Sequence, residues 1–363
     1  MARIVLAMSG GVDSSVAAAL LKQQGHDVIG LFMRTGSHAE TGERQSKTCC
    51  SIADSLDARA VADALDIPFF ALDFEKEFGR IQDYFADEYL AGRTPNPCVM
   101  CNIWLKFGKL WSYGKQAGAD FVATGHYAQI LTDPSGRPRI ARAVDAGKDQ
   151  SYVLSGLRSE LLKHVLFPVG AFPKPEIRRM ALELQLPVHN KADSQEICFV
   201  PDDDYLNFVR ARRPDSQKSG QLIDHTGEEL RQHDGIEAFT IGQRRGLGIA
   251  TGEPRFVVQI EPISRQVTVG PRALLERPGL EANKFNWQVT PPSKLLACQA
   301  QIRARHQAVP AQVEVLGPDS VRVYFESPQQ AVTPGQLVTL YENEMVLGGG
   351  WIERALESTD IQT

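Results

Sequence analysis

The sequence predicts an α/β fold built on a parallel sheet, followed by a small central domain and a C-terminal β-barrel. Three observations carry this expectation. Apolar strand-like runs alternate with helical patterns over the first 130 residues, a polar, turn-rich stretch interrupts them after about residue 200, and short alternating segments split by Pro and Gly fill the C-terminal part. The expected boundaries are 1–205, 206–270 and 271–363.

The elements follow in order. "RIVLAM" (3–8) reads as a buried strand and "SSVAAALLKQQG" (14–25) as an Ala/Leu-rich helix closed by Gly25. "HDVIGLFM" (26–33) is a second strand, and "IADSLDARAVADALD" (52–66) a helix stopped by Pro68. "PFFALDF" (68–74) is a third strand, "WLKFGKLWSYGKQAGA" (104–119) a helix, and "DFVATGH" (120–126) a fourth strand. Such alternation implies a parallel sheet covered on both faces, with ligands beyond the carboxyl ends of the strands. Ser9, Gly10 and Gly11, Met33, and Gly125 with His126 all fall at such ends, so one crevice could hold them. "RARRPDSQKSGQLIDHTGEELRQHDG" (210–235) marks the boundary region. "QVTVGP", "QAQIRARH", "QVEVL", "SVRVYF" and "QLVTLYENEMVLGGGWI" supply the alternating segments of the expected barrel.

Composition sets limits. The 363 residues are 43% hydrophobic and 23% charged, an ordinary globular mixture. A net charge of −5 means that any nucleic-acid contact must come from local basic patches. Those patches are Arg178–Arg179, Arg210 with Arg212–Arg213, Arg244–Arg245, and Arg303, Arg305 with His306. The N-terminal apolar run is too short for a signal-peptide core, and no stretch approaches bilayer length, so a cytoplasmic protein without membrane contact is expected. There thiols stay reduced, and the six cysteines are inert, catalytic or metal-binding rather than stapling. Cys298 and the adjacent Cys49 and Cys50 are read as structural.

"AMSGGVDSS" (7–15) lies between the first strand and first helix. Its glycines allow close backbone approach, and the helix-start N–H groups with the Ser9, Ser14 and Ser15 hydroxyls suit an anion. Neither the Walker loop nor a G-x-G-x-x-G is present. Asp13 is an odd member of a phosphate cradle unless Mg2+ accompanies the phosphate. The stretch resembles the PP-loop signature of N-type ATP pyrophosphatases, a HUP-like, Rossmann-type fold whose members cleave ATP between the α and β phosphates and transfer AMP to an oxygen. That resemblance implies ATP and Mg2+ but not the acceptor.

Further motifs narrow the acceptor. "GRTPNPCVMCN" (92–102), "ATGHYA" (123–128), "GKDQSYVL" (147–154), "DSQEICFV" (193–200), "FTIGQRRGLGI" (239–249), "IRARH" (302–306) and "PGQ" (334–336) occur in this order. Together they resemble the bacterial tRNA-specific 2-thiouridylase family over nearly the whole chain. The resemblance implies replacement of the C2 oxygen of a wobble uridine by sulfur, on tRNA, with a sulfur-relay protein or cysteine desulfurase as donor and a monomeric enzyme. Cys101 matches the family's nucleophile and Cys198 the persulfide carrier. Ala7, Met8, Ser9, Gly10, Gly11, Val12, Asp13, Ser14, Met33 and Gly125 match ATP-binding positions. Asn96, Pro97 and Cys98 match the segment that receives the target base. His126, Lys148, Asp149, Gln150, Arg303, Ala304 and Gln336 match tRNA-contacting positions.

The implied chemistry is physically coherent. The uracil C2 oxygen is a poor leaving group until it is adenylated, after which a persulfide can attack C2. One residue departs from the family pattern: Cys98 stands where an Asp is usual, and a thiol is a weaker acid/base than a carboxylate. It also creates an alternative, in which Cys98, Cys101 and Cys198 hold a [4Fe-4S] cluster with an open iron site; a structural zinc ranks behind it. Two further readings remain open on sequence grounds: a small-molecule PP-loop synthetase, and a non-catalytic RNA-binding protein.

Overall fold

The computed structural model describes residues 1–36, 51–193, 197–200, 204–250 and 252–360; Cys49 and Cys50 lie outside them. The chain divides into two compact units, one of Met1–Gln82, Pro97–Asp203 and Glu344–Val346, the other of Asp83–Asn96, Asp204–Asn343 and Leu347–Thr363.

The first unit is the expected parallel sheet. Its strands are β1 (Arg3–Ala7), β2 (Asp27–Arg34), β3 (Phe69–Asp73), β4 (Phe121–Thr124) and, later in the chain, β7 (Val165–Leu166). They run in the order β3-β2-β1-β4-β7, every pair parallel. Ile4, Val5 and Leu6 are at most 1% exposed, which is why the central strand reads as a continuous apolar run rather than an alternating one. The helix predicted from residue 14 begins earlier, as α1 (Val12–Gln23), directly after Gly11, whose extended backbone serves as its N-cap. Its end is as expected: the Gly25 amide closes back on the Lys22 carbonyl. Next comes α2 (Ile52–Ala64), opened by a capping box in which Ser51 and Asp54 satisfy each other's backbone amides.

Several elements have no counterpart among the predicted ones. In α3 (Glu75–Leu90), Phe78, Ile81, Phe85, Ala86 and Tyr89 are buried at helical spacing. The helix predicted at 104–119 is a longer composite. It joins α4 (Pro97–Met100), a ten-residue π-helix (Cys101–Leu110) and α5 (Trp111–Gln116). A hairpin of β5 (Ala128–Thr132) and β6 (Pro138–Arg142) follows, and Ala141 of β6 pairs with Met345. Two short turns, α6 (Ser151–Leu154) and α7 (Ser159–Leu162), precede α8 (Lys174–Glu183), whose Ile177 and Ala181 pack with Val16, Ala17 and Leu21 in the sheet's main core.

The second unit contains α9 (Tyr205–Arg212) and two sheets. The smaller sheet consists of β8 (Gly220–Asp224), β9 (Glu229–His233), β10 (Phe256–Glu261) and β11 (Gln266–Gly270), in the order β10-β11-β8-β9 around Leu222, Val257, Val267 and Val269. "QVTVG", counted above with the barrel segments, is β11 and belongs to this sheet. The larger array is the expected barrel. Its strands are β12 (Glu276–Trp287), β13 (Leu296–Gln301), β14 (Val309–Gly317), β15 (Ser320–Gln330), β16 (Leu337–Glu342) and β17 (Met345–Leu356). The order β12-β15-β14-β13-β16-β17 closes because β12 also pairs with β17 from Gly279↔Leu356 to Trp287↔Gly348. Closure removes the exposed edges of these strands, and Leu280, Val313, Val323, Val338 and Leu340 fill the interior.

Candidate active site

At the carboxyl ends of β1, β2 and β4 the first unit encloses a cavity of about 430 Å³, a size suited to a small-molecule ligand. The loop after β1 forms one wall, with Ala7, Met8, Ser9, Gly11, Val12, Asp13 and Ser14 lining it; Met33 comes from β2, and Gly125 follows β4. This is the shared crevice that strand order predicts.

The loop is braced from within. The Ser14 hydroxyl donates to the Gly11 carbonyl at 3.1 Å and accepts from the Ser9 amide at 3.2 Å. The Ser15 hydroxyl donates to the same carbonyl at 2.8 Å, and Ser15 is fully buried, so it supports the turn and does not face the cavity as expected of it. Gly11 occupies the N-cap of α1 without a side-chain cap, so the first-turn amides are left for a ligand. Gly10 does not line the cavity. It has φ +72°, and a Cβ there would stand 2.2 Å from the Asp54 carbonyl oxygen, so glycine is required where the loop crosses α2.

Cys101 and Cys198 line the same cavity as this loop, as do Pro97 and Cys98. Cys101 is the first residue of the π-helix, whose i→i+5 repeat brings Lys106 round to the cavity as well. Asn102, beside Cys101, is 1% exposed, and its Nδ2 donates to the Val153 carbonyl at 3.0 Å. The Cys198 segment is pinned by Phe199, whose ring meets Phe78 edge-to-face at 5.6 Å.

His126 sits in the cavity wall, enclosed rather than on an open face. Its Nδ1 is 2.6 Å from Thr124 Oγ1 and its Nε2 is 3.2 Å from Lys106 Nζ. Burial, and then the Lys106 charge, hold its pKa well below the usual imidazole range, so the ring is neutral at physiological pH. An ammonium can only donate, so Lys106 bonds to the bare Nε2, and the ring proton is on Nδ1.

A second electrostatic layer backs the loop. Asp13 accepts from the Tyr127 hydroxyl at 2.7 Å and from Lys174 Nζ at 2.7 and 2.9 Å. Lys174 also reaches Asp193 at 2.9 Å, and Asp193 gathers Lys148 at 2.8 Å and Arg178 at 2.7 Å. Burial opposes ionisation of Asp193, but the Lys148 and Lys174 hydrogen bonds outweigh it and bring its pKa to about 2. Burial and the Asp13 charge push the Tyr127 phenol far above its ordinary value.

The positions matched to tRNA contact fare differently. Lys148 and Gln150 line the cavity; the Gln150 side chain accepts from the Tyr127 amide at 2.9 Å. Asp149 is not among the lining residues. Its carboxylate accepts from the Ala143 amide at 2.9 Å and the Ser151 hydroxyl at 2.7 Å, tying a turn together. In the second unit Asn96 is buried, and the Gln336 amide donates to the Thr94 and Pro95 carbonyls at 3.2 and 3.0 Å, fixing the irregular segment that leads to Asn96. Arg303 and Ala304 are exposed.

Two of the basic patches are internally neutralised. Arg210 pairs with Glu237, Arg212 with Asp83, and Arg213 with Asp83 and Asp87. Arg178 and Arg179 pair with Asp193, Glu176 and Glu183. Arg244, Arg245, Arg303 and Arg305 are exposed and make no ion pair among the described residues.

Metal binding can be tested against this geometry. An ionised carboxylate offers about four lone-pair sites, and Asp13 uses three, so one is left for a cation that keeps most of its own water, as Mg2+ does. The donor set fits. An iron–sulfur cluster does not: among the described residues no three His, Cys, Asp or Glu side chains converge closely enough to hold a metal, and Cys98 is solvent-exposed. Nor do the described residues bring together four ligands for a structural zinc.

Sequence reasoning missed Lys106, Tyr127, Lys174 and the role of Asp193. Lys106 faces the cavity only because the helix is π-wound, and Lys174 lies 161 residues from its partner Asp13. No local signal marks either.

Comparison with known proteins bears on the identity of the chain. Residues 2–202 match the family model described as the tRNA methyl transferase HUP domain, residues 207–271 the tRNA methyl transferase PRC-barrel domain, and residues 277–352 the aminomethyltransferase β-barrel domain. The chain is 47% identical to the tRNA-specific 2-thiouridylase MnmA of Geotalea uraniireducens, over 98% of this chain and 96% of that one. It is 46% identical to the protein of the same name from Rhodopirellula baltica, over 98% of each. A 4-thiouridine synthetase in complex with RNA and ATP aligns over 59% of this chain and 51% of its own at 17% identity and a TM-score of 0.35, which adds nothing to the assignment. At this identity, sustained from end to end, the chain belongs to the tRNA-specific 2-thiouridylase family.

Proposed function

We propose that this chain is an ATP-dependent tRNA-uridine 2-sulfurtransferase acting in the cytoplasm, with residues 1–205 carrying the chemistry and residues 206–270 and 271–363 contacting tRNA. The observation that supports it best is the gathering of Cys101, Cys198 and the 7–14 loop on one cavity. ATP lies with its phosphates against the loop amides, and the Asp13 carboxylate would hold Mg2+, which would offset phosphate charge during the transfer. The target base leaves its stack to enter beside Pro97 and Cys98. Its C2 oxygen forms a bond to the α-phosphorus, the α–β bridge breaks, pyrophosphate leaves, and the N3 proton is lost.

Cys198 enters the next step as a persulfide loaded by a sulfur-donor protein. Its terminal sulfur attacks C2, and AMP departs with the C2–O bond electrons. The Cys101 thiolate then attacks Cys198 Sγ. The sulfur–sulfur bond breaks towards the base, which leaves as the 2-thiouridine, and a Cys101–Cys198 disulfide remains for a two-electron thiol reductant. Because Cys98 replaces the usual carboxylate, no acid/base step is assigned to that position.

Purified protein with tRNA, ATP and a persulfide donor should release AMP in step with tRNA thiolation. Cys101→Ser and Cys198→Ser should each lower thiolation at least about 100-fold while a tRNA-dependent burst of pyrophosphate persists, because the adenylation step uses neither sulfur and AMP leaves only when sulfur attacks. AMP formation with a small carboxylate in place of tRNA, or full thiolation by either serine variant, would sink the proposal.

A further inference from the structure

One ion pair has no role in the chemistry above. Lys174, the first residue of α8, is 6% exposed and is not among the residues lining the cavity. Its ammonium nevertheless lies 2.7 and 2.9 Å from the two oxygens of Asp13, which does face the cavity. The Tyr127 ring packs against the same ammonium at 5.7 Å and its hydroxyl bonds to the same carboxylate, so both partners are held in one geometry. Remaining compensation comes from Asp193, 2.9 Å away, which Lys148 and Arg178 share.

The electrostatics of this arrangement are unusual for a phosphate cradle. The N-terminus of α1 and its unsatisfied amides attract anions, whereas a carboxylate one residue into the helix repels them. Lys174 cancels that repulsion from behind without occupying ligand space.

We propose that Lys174 is a positioning residue that neutralises Asp13 from the protein side, so that the loop receives nucleotide phosphate even before a divalent cation has reached Asp13. Removing the ammonium makes the loop dependent on the divalent cation to do the same work. This inference rests on reading residues 7–14 as the ATP cradle.

Equilibrium binding of ATP, measured by calorimetry on the full chain in EDTA and again with saturating Mg2+, tests it without reference to turnover. In Lys174→Met the dissociation constant for metal-free ATP should rise about tenfold, the scale of one unscreened charge near the phosphates, while that for Mg–ATP moves less than about twofold. Lys174→Arg should keep both values. Tyr127→Phe removes a hydrogen bond but no charge, and should move the two constants together. If Lys174→Met does not fold, Lys174→Gln, which loses the charge but can still bond Asp13, takes its place. A parallel shift of both constants in the neutral variant, or no shift in either, overturns the proposal. A wild-type protein that binds ATP under neither condition would instead overturn the ATP reading itself.

Discussion

Gly10→Ala should damage the loop far more than Gly11→Ala, although the two glycines are adjacent. At Gly10 the backbone has φ +72°, which costs a residue with a Cβ about 1 kcal/mol. The added methyl would lie 2.2 Å from the Asp54 carbonyl oxygen and 3.0 Å from its Cα, against about 3.5 Å for a comfortable contact. Both obstacles are backbone, so the loop and the first turn of α2 must separate by about 1 Å, an overpacking cost of about 1–3 kcal/mol. The total is about 2–4 kcal/mol of stability. The shift also falls on Asp54, whose carboxylate caps α2 and holds Lys191 at 2.6 Å. At Gly11, by contrast, φ is −98° and the nearest atom to a new Cβ is Ser9 Oγ at 3.5 Å, so an alanine fits. Urea unfolding and ATP titration of the two variants provide the assay. Gly10→Ala should lose the stated stability and at least about tenfold in ATP affinity, since a displacement of about 1 Å is enough to misalign a bound reactant; Gly11→Ala should retain stability within about 0.5 kcal/mol. Equal stability in the two variants would refute the steric argument.

Two further outcomes follow from the charges. The Asp193 carboxyl has a pKa of about 2 in the folded protein against an ordinary 3.8, so its stabilisation is complete above about pH 5 and is lost as pH falls through the folded value. The side chain is 22% exposed, and after solvent screening the effect is about 1–2 kcal/mol. The stability gap between wild type and Asp193→Asn should therefore shrink by roughly half between pH 6 and pH 3, and a gap independent of pH would contradict it. For RNA, Arg244→Ala and Arg245→Ala should each reduce the slope of log affinity against log salt by about 1, whereas Arg213→Ala, already committed to Asp83 and Asp87, should not change it. Filter-binding at several salt concentrations separates the two cases, and equal slopes in all variants would remove these arginines from the interface.

Much of the first unit could be read directly from the chain because its signals are local. The apolar run at Ile4–Leu6, the glycine loop behind it and the strand ends that share the crevice all depend on neighbours in sequence. The closed barrel was legible as alternation, though "QVTVG" pairs with the smaller sheet, since alternation specifies a strand and not its partner. What stayed hidden depends on distance. Arginine clusters look alike whether they await phosphate or already face Asp83 and Asp87, and only tertiary contact tells them apart. Asp149 matched a nucleic-acid position in the motif, but its oxygens are taken up by Ala143 and Ser151. Helix α3 escaped notice because its acidic and aromatic residues give no simple apolar run, although Phe78, Ile81 and Phe85 share a face.

The widened coil from Cys101 to Leu110 has a geometric corollary. Wound as an ordinary α-helix of about 3.6 residues per turn, the same residues would put positions five apart about 140° round the axis from each other, and Lys106 would turn away from the face that carries Cys101. Deleting one residue between them would restore a spacing of four, which ordinary winding places on one face, so that variant should keep the thiol and the cation together. The wide winding absorbs one surplus peptide unit and in doing so keeps this chain's reactive thiol in phase with the nucleotide floor.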